Sequence, residues 1–227
     1  MKRILSTLKE KWPEYILEIL VLIIGIFGAF MLNNWNEARK TKKFEQEILY
    51  LIDQNLQQDS MLLAEELFKT KQAIELTDRL LEQVALKNYD DSLNYWMGEI
   101  ICFERFKSQS SAFEVLKSKG IETISDKELQ LALISYYDVN LFEVYESIDD
   151  VEFSFNTDWL PVIKEDFLDF KWRDFSKPVD SKSFFEKASS IVLFKIYQDN
   201  RKGTDRNIES ALQKNSDIRS LIKTQLK

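Results

Sequence analysis

The stretch from Leu141 to Phe175 is the one whose residue types most invite chemistry. Phe142, Tyr145, Phe153, Phe155, Trp159, Phe167, Phe170, Trp172 and Phe175 are interleaved there with ten carboxylates, Glu143, Glu146, Asp149, Asp150, Glu152, Asp158, Glu165, Asp166, Asp169 and Asp174. Aromatic platforms beside paired carboxylates are the equipment of a carbohydrate groove, where one acid protonates a leaving oxygen and its partner stabilises charge. Carboxylates can also hold calcium, but the D-x-D-x-D-G spacing of an EF-hand loop is missing here. The simpler arrangement is the expected one, with rings packed inward and carboxylates left in water. A protein partner docking on exposed rings comes next.

Other chemistries are excluded by what the chain lacks. It has no His, and Cys102 is its one Cys, so His-based triads, His relays and the common zinc sites cannot be assembled within one chain. No intrachain disulfide can form, and the cysteine count is silent on redox compartment. Cys102 stands in the apolar run Ile100-Ile101-Cys102-Phe103, which predicts a buried, inert thiol. No G-x-S-x-G, P-loop or G-x-G-x-x-G occurs, and five scattered Gly leave little to cradle a phosphate. No catalytic residue, metal ligand or cofactor is assigned.

The elements that must position any site are helices. Hydrophobic residues make up 44% of the 227, enough for a packed core, while Gly and Pro number 5 and 3, too few for a turn-rich sandwich or barrel. Charge is split along the chain. Residues 1–43 hold 8 Lys and Arg against 4 Asp and Glu, and the remainder 23 against 34. A basic leading segment suits anionic headgroups, and the acidic remainder argues against nucleic acid as a partner.

From Ile16 to Leu32 the one ionisable residue is Glu18. Spanning a hydrocarbon core of ~30 Å takes about 20 helical residues, and the flanks complete the span. Trp12 and Trp35 lie ~35 Å apart along a helix axis, the separation of the two interfacial belts, so both are read as interfacial anchors. A cleavable signal peptide wants a small-x-small site after its apolar run, and Met31-Leu32-Asn33-Asn34-Trp35 offers none. An uncleaved anchor is expected ahead of a buried core helix. Cations balance across it, with Lys2, Arg3, Lys9 and Lys11 before and Arg39, Lys40, Lys42 and Lys43 after, so charge leaves orientation open.

Glu18 is costly in hydrocarbon. At 100° per residue, Gly25 and Ala29 fall within about 20° of it around the helix. A carboxyl and two small residues on one stripe are a candidate membrane-helix association face. Snorkelling of Glu18 to the headgroups is expected ahead of that association.

The residues from Glu18 through Gly25 and Ala29 into Leu32-Asn33-Asn34-Trp35-Asn36-Glu37-Ala38-Arg39-Lys40 resemble a family of single-pass membrane proteins common in Bacteroidota. In that family the membrane helix runs into an N-N-W-N-E-x-R-K segment. A second matching block is Ser111 to Gly120, continuing through Ile124, Glu128-Leu129 and Leu133 to Tyr136-Tyr137. Together the blocks cover about a third of the chain. The family is a domain of unknown function, so the resemblance implies architecture and no activity. It also implies an amino terminus in the cytoplasm and a helical domain in the periplasm of a bacterial inner membrane.

Between Gly28 and Gly98 there is neither Gly nor Pro, and good helix formers dominate. Leu63, Leu67, Thr70, Ile74, Thr77, Leu81 and Val84 recur at alternating steps of four and three, extending the stripe Leu49, Ile52 and Leu56. One helix of an antiparallel bundle is expected ahead of a coiled-coil stalk. Ser111-x-x-Glu114, Ser125-x-x-Glu128 and Ser183-x-x-Glu186 read as capping boxes, Gly120 as a left-handed C-cap, and Gly203-Thr204 as a stop followed by a fresh cap. The predicted helices are 13–86 (continuous or broken near 40), 91–106, 112–118, 126–158, 181–201 and 205–225. The fold class is all-α, with an N-terminal transmembrane helix running into a long helix of an antiparallel bundle. The expected divisions are a basic tail at 1–12, the anchor at 13–38 and an acidic helical domain at 39–227.

The expected function is that of a membrane-anchored, non-catalytic helical interaction protein. Its expected partners are the lipid bilayer, a second copy of itself and an envelope protein. The alternative is a membrane-tethered sensor binding a small ligand in its bundle, and an enzyme comes third because no site motif is present.

Overall fold

The computed structural model describes the backbone of residues 2–226, with side chains described at 12–13 and 16–226. The cations Lys2, Arg3, Lys9 and Lys11, and with them most of the 1–12 tail, lie outside the described side chains. The chain forms two compact units, residues 1–47 and 48–227.

Helix α1 runs Lys2–Ala85 and starts ahead of the Pro13 boundary expected from sequence. Among the described residues, the large apolar side chains from Ile16 to Leu32 are exposed. Ile16, Leu20, Ile24, Phe27 and Met31 are all exposed, by 43 to 69%. The most apolar 18-residue window has a mean hydropathy of 2.4 and none of it is buried, so this helix is long and apolar enough to cross a membrane.

The second unit is an all-α bundle with one small hairpin. Helices α2 (Ser92–Ile100) and α3 (Ser111–Lys119) lead to a continuous helical stretch of three α segments, α4 (Lys127–Ile134), α5 (Leu141–Ser154) and α6 (Leu160–Asp166). Two π-helical turns, Ser135–Asn140 and Phe155–Trp159, join these segments. Strands β1 (Phe167–Lys171) and β2 (Phe175–Pro178) pair antiparallel, and α7 (Ser181–Glu186) precedes the long α8 (Ala188–Gln225).

Residues 49, 52, 56, 59, 63, 66, 70, 73, 77 and 80 of α1 are buried, an unbroken alternation of steps of three and four. Helix α8 repeats the device at 190, 194, 197, 201, 204, 208, 211, 215, 218 and 222. The two run antiparallel. Arg219 Nε donates to Asp53 at 2.8 Å near one end, and Gln198 Nε2 to Asp78 at 2.6 Å near the other. The seam on α1 is thus centred one residue earlier, at alternate positions, than the sequence stripe. Glu66, Ala73 and Leu80 are buried, while Leu67, Ile74 and Leu81 are half-buried.

Helix ends follow local chemistry with some displacement. Helix α1 closes in a Schellman arrangement, where Lys87 (φ 57°) and Asn88 donate backbone N–H groups to Val84 and Gln83 at 2.9 and 3.0 Å. Gly120 adopts a φ of 105° and its N–H satisfies Leu116 and Lys117, a conformation that excludes a Cβ. The Ser boxes are corrected. The side-chain caps are Asp126 for α4 and Asp180 for α7, each accepting from the first-turn N–H groups, and α3 is preceded by Ser110.

The Gly203 stop is also corrected, since α8 passes straight through it. A single Gly costs a helix only about 1 kcal/mol relative to Ala, less than the burial of α8's seam on either side supplies. A Cβ at Gly203 would meet nothing within 4 Å. Gly203→Ala is therefore expected to stabilise the protein by about 0.5–1 kcal/mol, read as a higher denaturant midpoint with an unchanged slope.

The hairpin was not foreseen. Phe167, Phe170 and Phe175 are good strand formers, but the turn rests on Arg173 in the left-handed region (φ 58°), where a non-glycine residue is rare. Arg173 is held there by its guanidinium, which pairs with Glu104 and approaches Glu99 at 3.8 Å.

Candidate functional site

Two polar rungs interrupt the greasy seam between α1 and α8, and they are where buried chemistry concentrates. The first is built on Asp59, whose exposure is 0%. Its carboxylate accepts from the Ser108 hydroxyl, from the Gln109 N–H at 2.7 Å and from the Tyr136 hydroxyl at 3.2 Å. Asn215 of α8 donates Nδ2 to the Tyr136 oxygen at 3.2 Å and to the Leu56 carbonyl at 2.9 Å. One carboxylate thus ties α1, the loop after α2, the first π-turn and, through Tyr136, α8. Burial pushes its pKa above the ordinary Asp value, against the opposing pull of its three donors.

Tyr136 reaches Asp59 from within the π-turn. An extra residue in a helical turn rotates the following face, and such turns gather at sites where a side chain is re-aimed. Burial drives the Tyr136 phenol far above its usual range, with the nearby Asp59 charge adding to the effect. It therefore stays a neutral donor. Tyr137 stacks on Phe113 with ring centres 4.2 Å apart.

The second rung lies one heptad further along. Glu66 is 9% exposed, Thr70 1%, Arg201 4% and Thr204 2%. Arg201 donates Nη2 to the carbonyls of Ile100 (3.2 Å) and Cys102, and its guanidinium sits 5.2 Å over the Tyr197 ring. Tyr197 donates its hydroxyl to the same Cys102 carbonyl at 2.6 Å. Burial raises the Glu66 pKa and the Glu104 carboxylate adds to it, while Lys69, Arg201 and Arg173 pull it down. Glu104 is itself paired with Arg173 and lies 3.9 Å from Lys69.

Cys102 is buried, as its apolar surroundings predict. Its thiol donates to the Glu99 carbonyl at 2.9 Å, and burial raises its pKa, so the reactive thiolate is disfavoured.

The aromatic–acidic stretch takes the inward arrangement only in part. Phe155 and Trp159 are buried, Tyr145, Phe167, Phe170 and Phe175 half-buried, and Phe142, Phe153 and Trp172 exposed. Phe103, Phe155, Phe170 and Trp172 pack on one another with ring centres 5.0 to 6.3 Å apart. These four rings fill the space between one another. Glu143, Glu146, Asp149 and Asp150 face water. Among the described residues, no three Cys, Asp or Glu side chains are placed to hold a metal ion.

Glu18, Gly25 and Ala29 lie on α1 with their surfaces exposed, and a Cβ at Gly25 would meet nothing within 4 Å. Trp12 and Trp35 are exposed by 58 and 64%. The two buried rungs were missed in the sequence, although a signal was present. Asp59 and Glu66 fall in phase with Leu49, Ile52, Leu56 and Leu63, and polar residues on a heptad seam mark buried pairing. Comparison of the chain with protein-family models, curated proteins and solved structures finds no match.

Proposed function

We propose that the chain is a membrane-anchored, non-catalytic interaction module, held in a bacterial inner membrane by the α1 segment 16–32 and presenting the acidic helical unit on the periplasmic side. The observation that carries the reading is the uncovered apolar face of that segment. Its twelve Leu, Ile, Val and Phe side chains each favour hydrocarbon by about 0.3–0.6 kcal/mol at mid-membrane, or roughly 5 kcal/mol together. Glu18, two residues inside the run, lies close enough to the interface to pay less than the mid-membrane cost. Trp12 and Trp35 serve as the interfacial anchors. The sidedness rests on the resemblance to the N-N-W-N-E-x-R-K family.

What such a module contributes is association. Glu18, Gly25 and Ala29 share one stripe, and small residues four apart let two helix backbones approach closely in lipid. Away from the anchor, α5 and α8 frame an open groove of about 320 Å³ lined by Glu143, Glu146, Asp150 and Asp199 without a cation, which suits a basic protein segment and repels nucleic acid.

Crosslinking the full chain in native membranes tests the association. The wild type is expected to give a crosslinked dimer band, and Glu18→Leu and Gly25→Leu are expected to reduce it several-fold at equal expression. Dimer levels unchanged in both variants would end the case for this stripe.

A further inference from the structure

We propose that the small chamber beside Glu66 is a binding site for one water molecule, shared by Thr70, Glu66 and Arg201. Thr70 and Arg201 are 1% and 4% exposed, and each carries a polar atom with no hydrogen-bond partner among the described residues, the Thr70 hydroxyl and the Arg201 Nε–H. The other seam threonines behave differently. Thr77 donates its hydroxyl to the Ala73 carbonyl at 2.7 Å, and Thr204 to the carbonyls of Ser147 and Asn200 at 3.0 and 3.3 Å. Thr70 makes no such bond to its own helix. Arg201 spends Nη2 on the carbonyls of Ile100 and Cys102, which leaves Nε–H unused.

Both residues line a chamber of about 10 Å³, together with Glu66, Glu104, Ile148, Val151 and Thr204. Size and charge select the occupant. A volume of that order admits one water and nothing larger. A cation would lie against the fixed guanidinium charge of Arg201, and an anion against the carboxylates of Glu66 and Glu104. Water is neutral and amphoteric. It accepts from Arg201 Nε–H and from the Thr70 hydroxyl, and it donates to the Glu66 carboxylate. Glu104 is already engaged by Arg173 and Lys69, which leaves Glu66 as the acceptor on this wall. Among the described residues no direct ion pair joins Glu66 to Arg201, so the water supplies the link between α1 and α8 at this rung.

The test is a water-selective NOE measurement on the full chain in detergent micelles with ¹⁵N-labelled arginine. The Arg201 Nε–H resonance is assigned by its loss in Arg201→Lys. The wild type is expected to show a cross-peak to water with the sign of a long-lived, slowly tumbling molecule. Thr70→Ala removes the hydroxyl and enlarges the chamber, so the cross-peak is expected to persist there. Thr70→Leu fills the chamber, so the cross-peak is expected to vanish. Absence of the peak in the wild type, its loss in Thr70→Ala (a relay through the hydroxyl alone) or its persistence in folded Thr70→Leu each overturns the site. Should Thr70→Leu fail to fold, the wild type and Thr70→Ala decide.

Discussion

Asp59→Ala is expected to destabilise the bundle by about 3 kcal/mol, because it strips the acceptor from three donors in a site that water does not reach. The Ser108 hydroxyl, the Gln109 N–H and the Tyr136 hydroxyl all point at that one carboxylate. Each buried donor left without a partner costs about 1–3 kcal/mol, and the three converge on one acceptor, so their costs do not simply sum. Asp59→Asn keeps one acceptor oxygen and offers an NH₂ to hydroxyls able to rotate, so it is expected to cost only about 1 kcal/mol. Denaturant unfolding of the full chain in micelles separates the two. Equal stability of Asp59→Ala and the wild type would show that the loop after α2 is held by other contacts.

The same carboxyl gives a pH dependence with a defined sign. Burial raises the folded pKa of Asp59 above its ordinary value of 3.8, so the folded state binds the proton more tightly than the unfolded state. The associated stability is complete below about pH 3.8 and is lost as pH rises through the raised folded value. Other carboxyls, such as Glu152 beside Arg105, have lowered pKa values and act in the opposite direction. The informative quantity is therefore the wild type measured against Asp59→Asn. The wild type is expected to gain relative to the variant on acidification, the reverse of ordinary acid denaturation.

Gly98→Ala is expected to cost about 2–3 kcal/mol, even though alanine is the better helix former. A Cβ on Gly98 would lie 2.5 Å from the Asp174 carbonyl carbon and 2.7 Å from its oxygen, and closer still to the Phe175 nitrogen. These are backbone atoms of the hairpin, so no side chain can rotate aside. Either α2 or the β1–β2 turn must shift, with the Tyr95–Phe175 ring contact at 5.3 Å carried along. The opposite signs expected at Gly98 and Gly203, both inside helices, isolate crowding from propensity. A stabilised Gly98→Ala would mean that the hairpin yields at little cost.

Much of this fold was legible because helices announce themselves through spacing. The all-α class, the end of α1 after Ala85, the turn at Gly120 and the buried Cys102 all follow from local pattern. What the pattern could not reveal depends on partners distant in sequence. Gly203 looks like a stop until the seam residues Arg201, Thr204 and Ile208 are seen buried on both sides of it. The hairpin turn needs Glu99 and Glu104 to hold Arg173, and neither is near it in the chain. The role of Asp59 is hidden in the sequence because its donors are 49, 50 and 77 residues away. Its heptad phase was the available clue, and the apolar stripe stepped over it.

Alkaline carbonate extraction of membranes from cells expressing the full chain tests the lipid anchor most directly. Carbonate at high pH strips proteins held by charge and leaves those embedded in hydrocarbon. The intact polypeptide is expected to remain in the lipid pellet and to be released only by detergent. Its recovery, full-length, in the aqueous fraction would mean that the exposed apolar face of residues 16–32 is covered by something other than lipid.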